Sequence, residues 1–159
     1  MNKTYLLLGS NMGNSKQQLA NACKHIKQSI GKIVRQSALY KTAAWGNTDQ
    51  PDFINQVIVV ETSLTAADCM NTILRIEKDM GRIRTVKNAP RVIDIDILFF
   101  NKDIINTKLL QLPHPFIQER RFVLVPLNEL SPRFIHPVFN KTVSLLLKEC
   151  PDKLDVKKI

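Results

Sequence analysis

Glycine is scarce in this chain, with five residues in 159, at positions 9, 13, 31, 46 and 81. They form neither G-x-x-x-x-G-K-[ST] nor G-x-G-x-x-G, so a backbone cradle for phosphate is not expected and side chains with metal must do that work. Cysteine is equally sparse. Cys23, Cys69 and Cys150 are odd in number and far apart, which fits neither a disulfide framework nor zinc-ligand spacing and predicts buried thiols in a reducing compartment. No apolar run reaches the roughly 18 residues of a membrane span, and the N-terminus has no basic region followed by an apolar segment and a cleavage site. A soluble, cytoplasmic protein with no membrane partner is expected.

Acidic residues are outnumbered, 14 Asp and Glu against 23 Lys and Arg, for a formal net charge of +9. That excess implies an anionic partner, either nucleic acid or a small polyphosphate, and says nothing of which. The tail from Lys153 to Ile159 holds three of the lysines and reads as a solvated end without a role. With 44% hydrophobic residues, the length suits one well-packed domain spanning 1–159.

The most informative stretch is Gly81 to Phe100, GRIRTVKNAPRVIDIDILFF. From Val92 to Phe100 it alternates as a strand, with Val92, Asp94, Asp96 and Leu98 on one face and Ile93, Ile95, Ile97 and Phe99 on the other. Asp94 and Asp96 then project the same way, about 7 Å apart along the chain, and repel unless a cation lies between them. Hard divalent ions such as Mg²⁺ are commonly held by one or two carboxylates plus substrate phosphates. Arg82, Arg84, Lys87 and Arg91 in the preceding loop complete a set suited to a polyphosphate and its metals. A solvated strand face balanced by arginines is the competing reading.

The rest of the chain predicts the support. Thr4 to Leu8 reads as a buried strand. Asn14 caps a helix whose stripe is Leu19, Cys23, Ile26 and Ile30, closed by Gly31. Lys32 to Thr42 reads as a second strand and Ala43 to Asp52 as a turn-rich loop holding the single tryptophan, Trp45. Phe53 to Thr62 is a third strand with Phe53 and Asn55 on one face, where a ring can stack on a flat heterocycle and an amide can meet its edge. A core aromatic beside a strand-edge polar residue fits equally well. Thr65 starts a second helix with the stripe Ala66, Cys69, Ile73, Ile76 and Met80. Glu77 lies in its last turn, an unfavourable place for an anion against the helix dipole, which points to a role beside Arg82 or Arg84. Pro113-His114-Pro115 holds an imidazole on a stiff support, for phosphate contact or for structure. Phe122 to Val125 reads as a strand and Thr142 to Cys150 as a helix. The order strand, helix, strand, strand, helix, strand is that of an α+β, ferredoxin-like βαββαβ sandwich, here with a C-terminal strand and helix extension.

Several pieces together resemble the 6-hydroxymethyl-7,8-dihydropterin pyrophosphokinases of folate biosynthesis along nearly the whole chain. These are Leu8-Gly9-Ser10-Asn11, Gln50-Pro51-Asp52-Phe53-Ile54-Asn55, Arg75-Ile76-Glu77, Gly81-Arg82-Ile83-Arg84, Pro90-Arg91-Val92-Ile93-Asp94-Ile95-Asp96, Pro113-His114 and Arg120-Arg121-Phe122. The resemblance implies transfer of pyrophosphate from ATP to the hydroxymethyl group of the reduced pterin, with release of AMP. It implies two Mg²⁺ ions on Asp94 and Asp96, and catalysis by Arg82, Arg91, Asp94 and Asp96. ATP contacts would come from Glu77, Arg82, Arg84, Arg91, Ile97, His114 and Arg120. The pterin would lie between Phe53 and Phe122, with Asn55, Thr42, Ala43 and Trp45 beside it. A monomer that binds no nucleic acid is expected.

Where family members usually carry a basic residue followed by Trp-Gly, this chain has Lys87-Asn88-Ala89. A lid from Arg82 to Arg91 would then lack its large anchor, leaving Trp45 as the residue of comparable size. RNA-recognition domains share the same order of elements, but they present aromatics on the central strand where this chain presents Asp94 and Asp96. A metal-dependent nuclease would add further acidic ligands.

Overall fold

The computed structural model describes residues 1–43, 49–82 and 91–159. Strand β1 (Asn2–Ser10) runs into helix α1 (Ser15–Ser29), whose first turn is capped by Asn14 accepting from the Gln17 amide. Strands β2 (Gly31–Gln36) and β3 (Tyr40–Thr42) follow, then the long β4 (Phe53–Thr62). Helix α2 (Ala66–Asp79) begins on a Thr65 cap and leads to β5 (Asp94–Phe100). The remaining third of the chain supplies the hairpin β6 (Ile105–Asn106) and β7 (Gln111–Leu112), a 3-10 turn (Ile117–Glu119), helices α3 (Arg121–Leu130) and α4 (Val143–Glu149), and β8 (Val156–Lys158).

The main sheet has the order β5-β1-β4-β3-β8, with β2 also pairing β4, and every pairing is antiparallel. Leu6, Leu8, Ile58, Val60, Ile95 and Ile97 pack with the stripes of α1 and α2 on one face. Tyr5, Leu7, Val57, Val59 and Leu98 pack with α3 and α4 on the other. Period-2 alternation along β1 and β4 therefore feeds two cores from one sheet.

Four expectations need correction. The segment expected as one strand over Lys32–Thr42 is two strands, because Ser37 turns out of the ladder and binds β4 on its own terms. Its N–H donates to the Val57 carbonyl, its hydroxyl accepts from the Val57 N–H, and its carbonyl accepts from Gln56. In β5 the register to β1 slips, so that Tyr5 faces Phe99 while Leu6 faces Ile97. This β-bulge leaves Leu98 and Phe99 both in the α3/α4 core and sends Phe100 to the other face, so the predicted placement of Phe99 with the isoleucines fails. The strand expected at Phe122–Val125 is the start of α3. Val123, Leu124, Leu127 and Leu130 are its buried stripe, a helical spacing that outweighs the β-branched residues and Pro126. Lastly, the tail is solvent-exposed as expected but not without a part in the fold, since Val156–Lys158 forms an edge strand on β3. The three cysteines are free and buried, as expected.

Candidate active site

A cleft of about 570 Å³ opens over the α3/α4 face of the sheet, at the end where β1 finishes and β4 and β5 begin. Strand register sets its floor. Gly9 is paired on one side with Asp94 and on the other with Asn55, so carboxylate, glycine and amide form a row across three strands. One row further in, Leu7 is paired with Asp96 and Val57. A Cβ added at Gly9 would lie 2.7 Å from the Asn55 Oδ1. Glycine is required there because the neighbouring amide occupies the space a side chain would need.

The β5 side of the cleft is charged. The Arg82 guanidinium is shared between Glu77 Oε2 and Asp94 Oδ1, each at 2.6 Å, while Arg91 lies 3.6 Å from Asp94 Oδ2. Glu77 is buried and also accepts from the Ile95 N–H at 2.9 Å, so it ties the end of α2 to the edge strand that carries both aspartates. Arg82 meets burial with two carboxylate partners and stays cationic. Asp96 has no ion pair among the described residues. Desolvation, then the Asp94 and Glu77 carboxylates, push its carboxyl well above the usual range. A second cation is the natural relief for that strain.

His114, beside β5, and Arg120 also line the cleft. The His114 N–H donates to the Leu98 carbonyl, and its Nδ1 accepts from the Phe116 N–H, which leaves Nε2 as the protonated nitrogen. Burial, reinforced by Arg120, lowers its pKa to about 4, so it is a neutral donor. The Arg120 guanidinium lies over the Phe116 ring, 4.8 Å from its centroid.

The other half of the cleft is aromatic and amide-bearing. Phe53 and Asn55 from β4, Phe122 from α3, and Thr42 and Ala43 from the end of β3 line it. Asn55 is 3% exposed, and its Nδ2 is buried without a hydrogen-bond partner among the described residues. An unpaired buried amide donor costs about 1–3 kcal/mol and marks a place where a ligand acceptor belongs.

The structure thus brings together Glu77, Arg82, Arg91, Asp94, Asp96, His114, Arg120, Thr42, Ala43, Phe53, Asn55 and Phe122 at one cleft. Ile97 is not at this cleft. Its side chain is 4% exposed in the α1/α2 core, because it alternates away from Asp94 and Asp96. Arg84 and Trp45, with the lid positions Lys87-Asn88-Ala89, lie outside the described residues. Sequence reasoning gave no role to Asn11, which is 3% exposed. Its Oδ1 accepts from the Arg91 N–H and its Nδ2 donates to Gln50 Oε1 and the Pro51 carbonyl, clamping the loops before β4 and β5 together. Its position straight after a strand and Gly9-Ser10 was the available signal.

A cleft with carboxylates and arginines at one end and an amide-edged aromatic slot at the other, built on an antiparallel sheet, suits the class of proteins that hold a polyphosphate beside a flat heterocycle. The particular family is given by comparison. The sequence pattern of the 7,8-dihydro-6-hydroxymethylpterin-pyrophosphokinase (HPPK) family matches residues 5–132, and the chain belongs to that family. It is 42% identical over 136 residues to the 2-amino-4-hydroxy-6-hydroxymethyldihydropteridine pyrophosphokinase of Methylorubrum extorquens, covering 85% of this chain and 86% of that one. It is 39% identical over 151 residues to the folic acid synthesis protein FOL1 of Dictyostelium discoideum, covering 95% of this chain but 23% of the longer relative. Its fold matches the crystal structure of Plasmodium falciparum HPPK-DHPS with pteroate at a TM-score of 0.76 and 20% identity, over 93% of this chain and 42% of that one.

Proposed function

We propose that this chain transfers pyrophosphate from ATP to the hydroxymethyl group of 6-hydroxymethyl-7,8-dihydropterin, a step of folate biosynthesis, at the cleft over Gly9. The observation that carries the reading is the row Asp94, Gly9, Asn55. A carboxylate and an amide aligned on one sheet face suit a polyphosphate at one end and a heterocycle at the other. The fold is a ferredoxin-like βαββαβ core extended by the C-terminal helices and β8, acting as a single-domain monomer. Its three free, buried thiols suit the cytoplasm. No helix is long and apolar enough to cross a membrane, among the described residues.

In this reading the pterin lies between Phe53 and Phe122, its edge donated to by Asn55. The triphosphate lies against Arg82, Arg91, His114 and Arg120. The hydroxymethyl oxygen forms a bond to the β-phosphorus and gives up its proton to solvent water, and the bond from that phosphorus to the α,β-bridging oxygen breaks, so AMP leaves with the electron pair. Such transfers run mainly on positioning and charge neutralisation, so a strong catalytic base is not required. The two carboxylates fit Mg²⁺. Both are oxygen donors on one strand face, and burial together with the Asp94 and Glu77 carboxylates disfavours the Asp96 anion unless a cation joins it. Asp94 and Asp96 would hold two ions, which supply neutralisation of the triphosphate and acidification of the attacking hydroxyl. Arg82 and Arg91 take the charge that develops toward AMP, and His114, neutral, donates without adding charge. Nucleic acid is not a partner here, since Asp94 and Asp96 face the groove. The test is AMP release from ATP with the hydroxymethyl pterin and Mg²⁺. ATP turnover independent of the pterin overturns the proposal.

A further inference from the structure

The C-terminal segment reaches both walls of the aromatic half of the cleft. Helix α3 begins without a side-chain cap of its own, since its N-cap residue is Arg120. The cap comes from 31 residues on, where Asp152 Oδ2 accepts from the Arg121 N–H at 3.0 Å. Asp152 is 9% exposed, and its other oxygen accepts from the Leu154 N–H at 2.9 Å, which turns the chain toward the sheet. The chain then runs as β8 along β3, pairing Val156 with Thr42 and Lys158 with Tyr40, and finishes with the Ile159 N–H donating to the Leu39 carbonyl. One end of this short run therefore fixes the turn that presents Arg120 and Phe122. The other end supports the three-residue strand whose partners on β4 are Phe53 and Asn55.

We propose that Asp152–Lys158 is a strap that positions the two walls of the pterin slot against each other. The proposal rests on the reading of that slot as the pterin site. Strand β3 has only three residues; besides its pairing with β4 it is tied to Glu129 of α3, which accepts from the Tyr40 hydroxyl and from the neighbouring Ala38 N–H. With β8 in place β3 is an inner strand held on both sides, and without it β3 is a frayed edge. The carboxylates and Arg82 of the cleft stand on β5 and at the end of α2, so of the residues read as nucleotide contacts Arg120 is the one placed next to the strap's hydrogen bond. Its loss should weaken the pterin, which loses the setting of both walls, more than the nucleotide, which loses that of Arg120 alone. If release leaves the slot competent about a tenth of the time, apparent pterin affinity falls about tenfold.

The test compares the full chain with a chain ending at Lys153 and with Asp152→Ala and Asp152→Asn. Pterin and a non-hydrolysable ATP analogue with Mg²⁺ are titrated by calorimetry, and amide exchange is followed at Tyr40–Thr42 and Phe122–Leu124. The expected result is a pterin Kd raised about tenfold in the shortened chain and in Asp152→Ala. The nucleotide Kd rises less than the pterin Kd, and Asp152→Asn, which keeps one of the two acceptor oxygens, recovers only part of the loss. Exchange should quicken at Tyr40–Thr42 in the shortened chain and at Phe122–Leu124 in Asp152→Ala. Unchanged pterin affinity, or parallel loss of both ligands, overturns the strap. If the full chain binds nucleotide and not pterin, the reading of the slot is at fault. Exchange then decides alone, and unaltered rates at Tyr40–Thr42 overturn the strap.

Discussion

Asn55 and Gly9 work as a pair, one offering an unpartnered amide and the other leaving room for it. Asn55→Ala should weaken pterin binding by about 1–3 kcal/mol, because a ligand acceptor is stranded in a desolvated site. Gly9→Ala should reproduce the defect by pushing the amide aside, with nucleotide affinity intact in both. Calorimetry with each ligand checks this, and equal losses would point to a folding defect. Asp96→Ala should abolish turnover, since about 4 kcal/mol of lost transition-state stabilisation is a thousandfold in rate. The metal-free protein should stay folded, because a repelling carboxylate has gone. More than a tenth of the parent rate would sink the metal assignment. His136 gives a pH prediction away from the cleft. It is 2% exposed, its Nδ1 accepts from the Val138 and Phe139 N–H groups, and burial lowers its pKa to about 4. The unfolded chain, with a histidine near 6.5, then binds more protons than the folded one between those values. Stability from this residue is full above about pH 6.5 and drains away as the pH falls toward 4. Thermal melts of His136→Gln should show a flatter acid limb than the parent.

At the scale of elements, β3 and α3 are coupled by Glu129, whose carboxylate serves Tyr40 and Ala38 together. Hydrogen bonds to a charged group contribute about 1.5–3 kcal/mol, so Glu129→Ala should lower the melting temperature by several degrees and loosen β3. An unchanged melt would show that the pair contributes nothing net. The helices α1, α2 and α4 were legible because Asn14, Thr65 and Thr142 sit one turn ahead of apolar stripes, and caps are local chemistry. The Asp94 strand was legible for the same reason, its alternation being local. What escaped was set by partners distant in sequence. Helix α3 takes its cap from Asp152, β8 exists only because β3 offers an edge, and the bulge in β5 is visible only against β1. At the site, Asp94, Asp96, Phe53 and Asn55 could be chosen from spacing. Asn11 could not, because its work is to join two loops.

The whole molecule carries a net charge of +9, and the nucleotide is strongly anionic while the pterin is not. Raising ionic strength from about 0.01 M to 0.15 M shortens the screening length from roughly 30 Å to 8 Å. The association rate of the nucleotide should therefore fall with salt and that of the pterin should not. Stopped-flow binding of each ligand measures this, and identical salt slopes would show that steering by the overall charge is absent.

The row across Gly9 also fixes a length. Adjacent strands are held about 4.8 Å apart by their backbone hydrogen bonds, so the Asp94 and Asn55 backbones stand roughly 10 Å apart. That direction is the stiff axis of the sheet, and loop motion around the cleft does not stretch it. The separation between the two chemistries can change only in whole strand steps, as on a ruler with one graduation. A one-residue slip of β1 would leave the spacing intact but turn Gly9 and Leu7 to the opposite face, putting side chains where the substrates must meet.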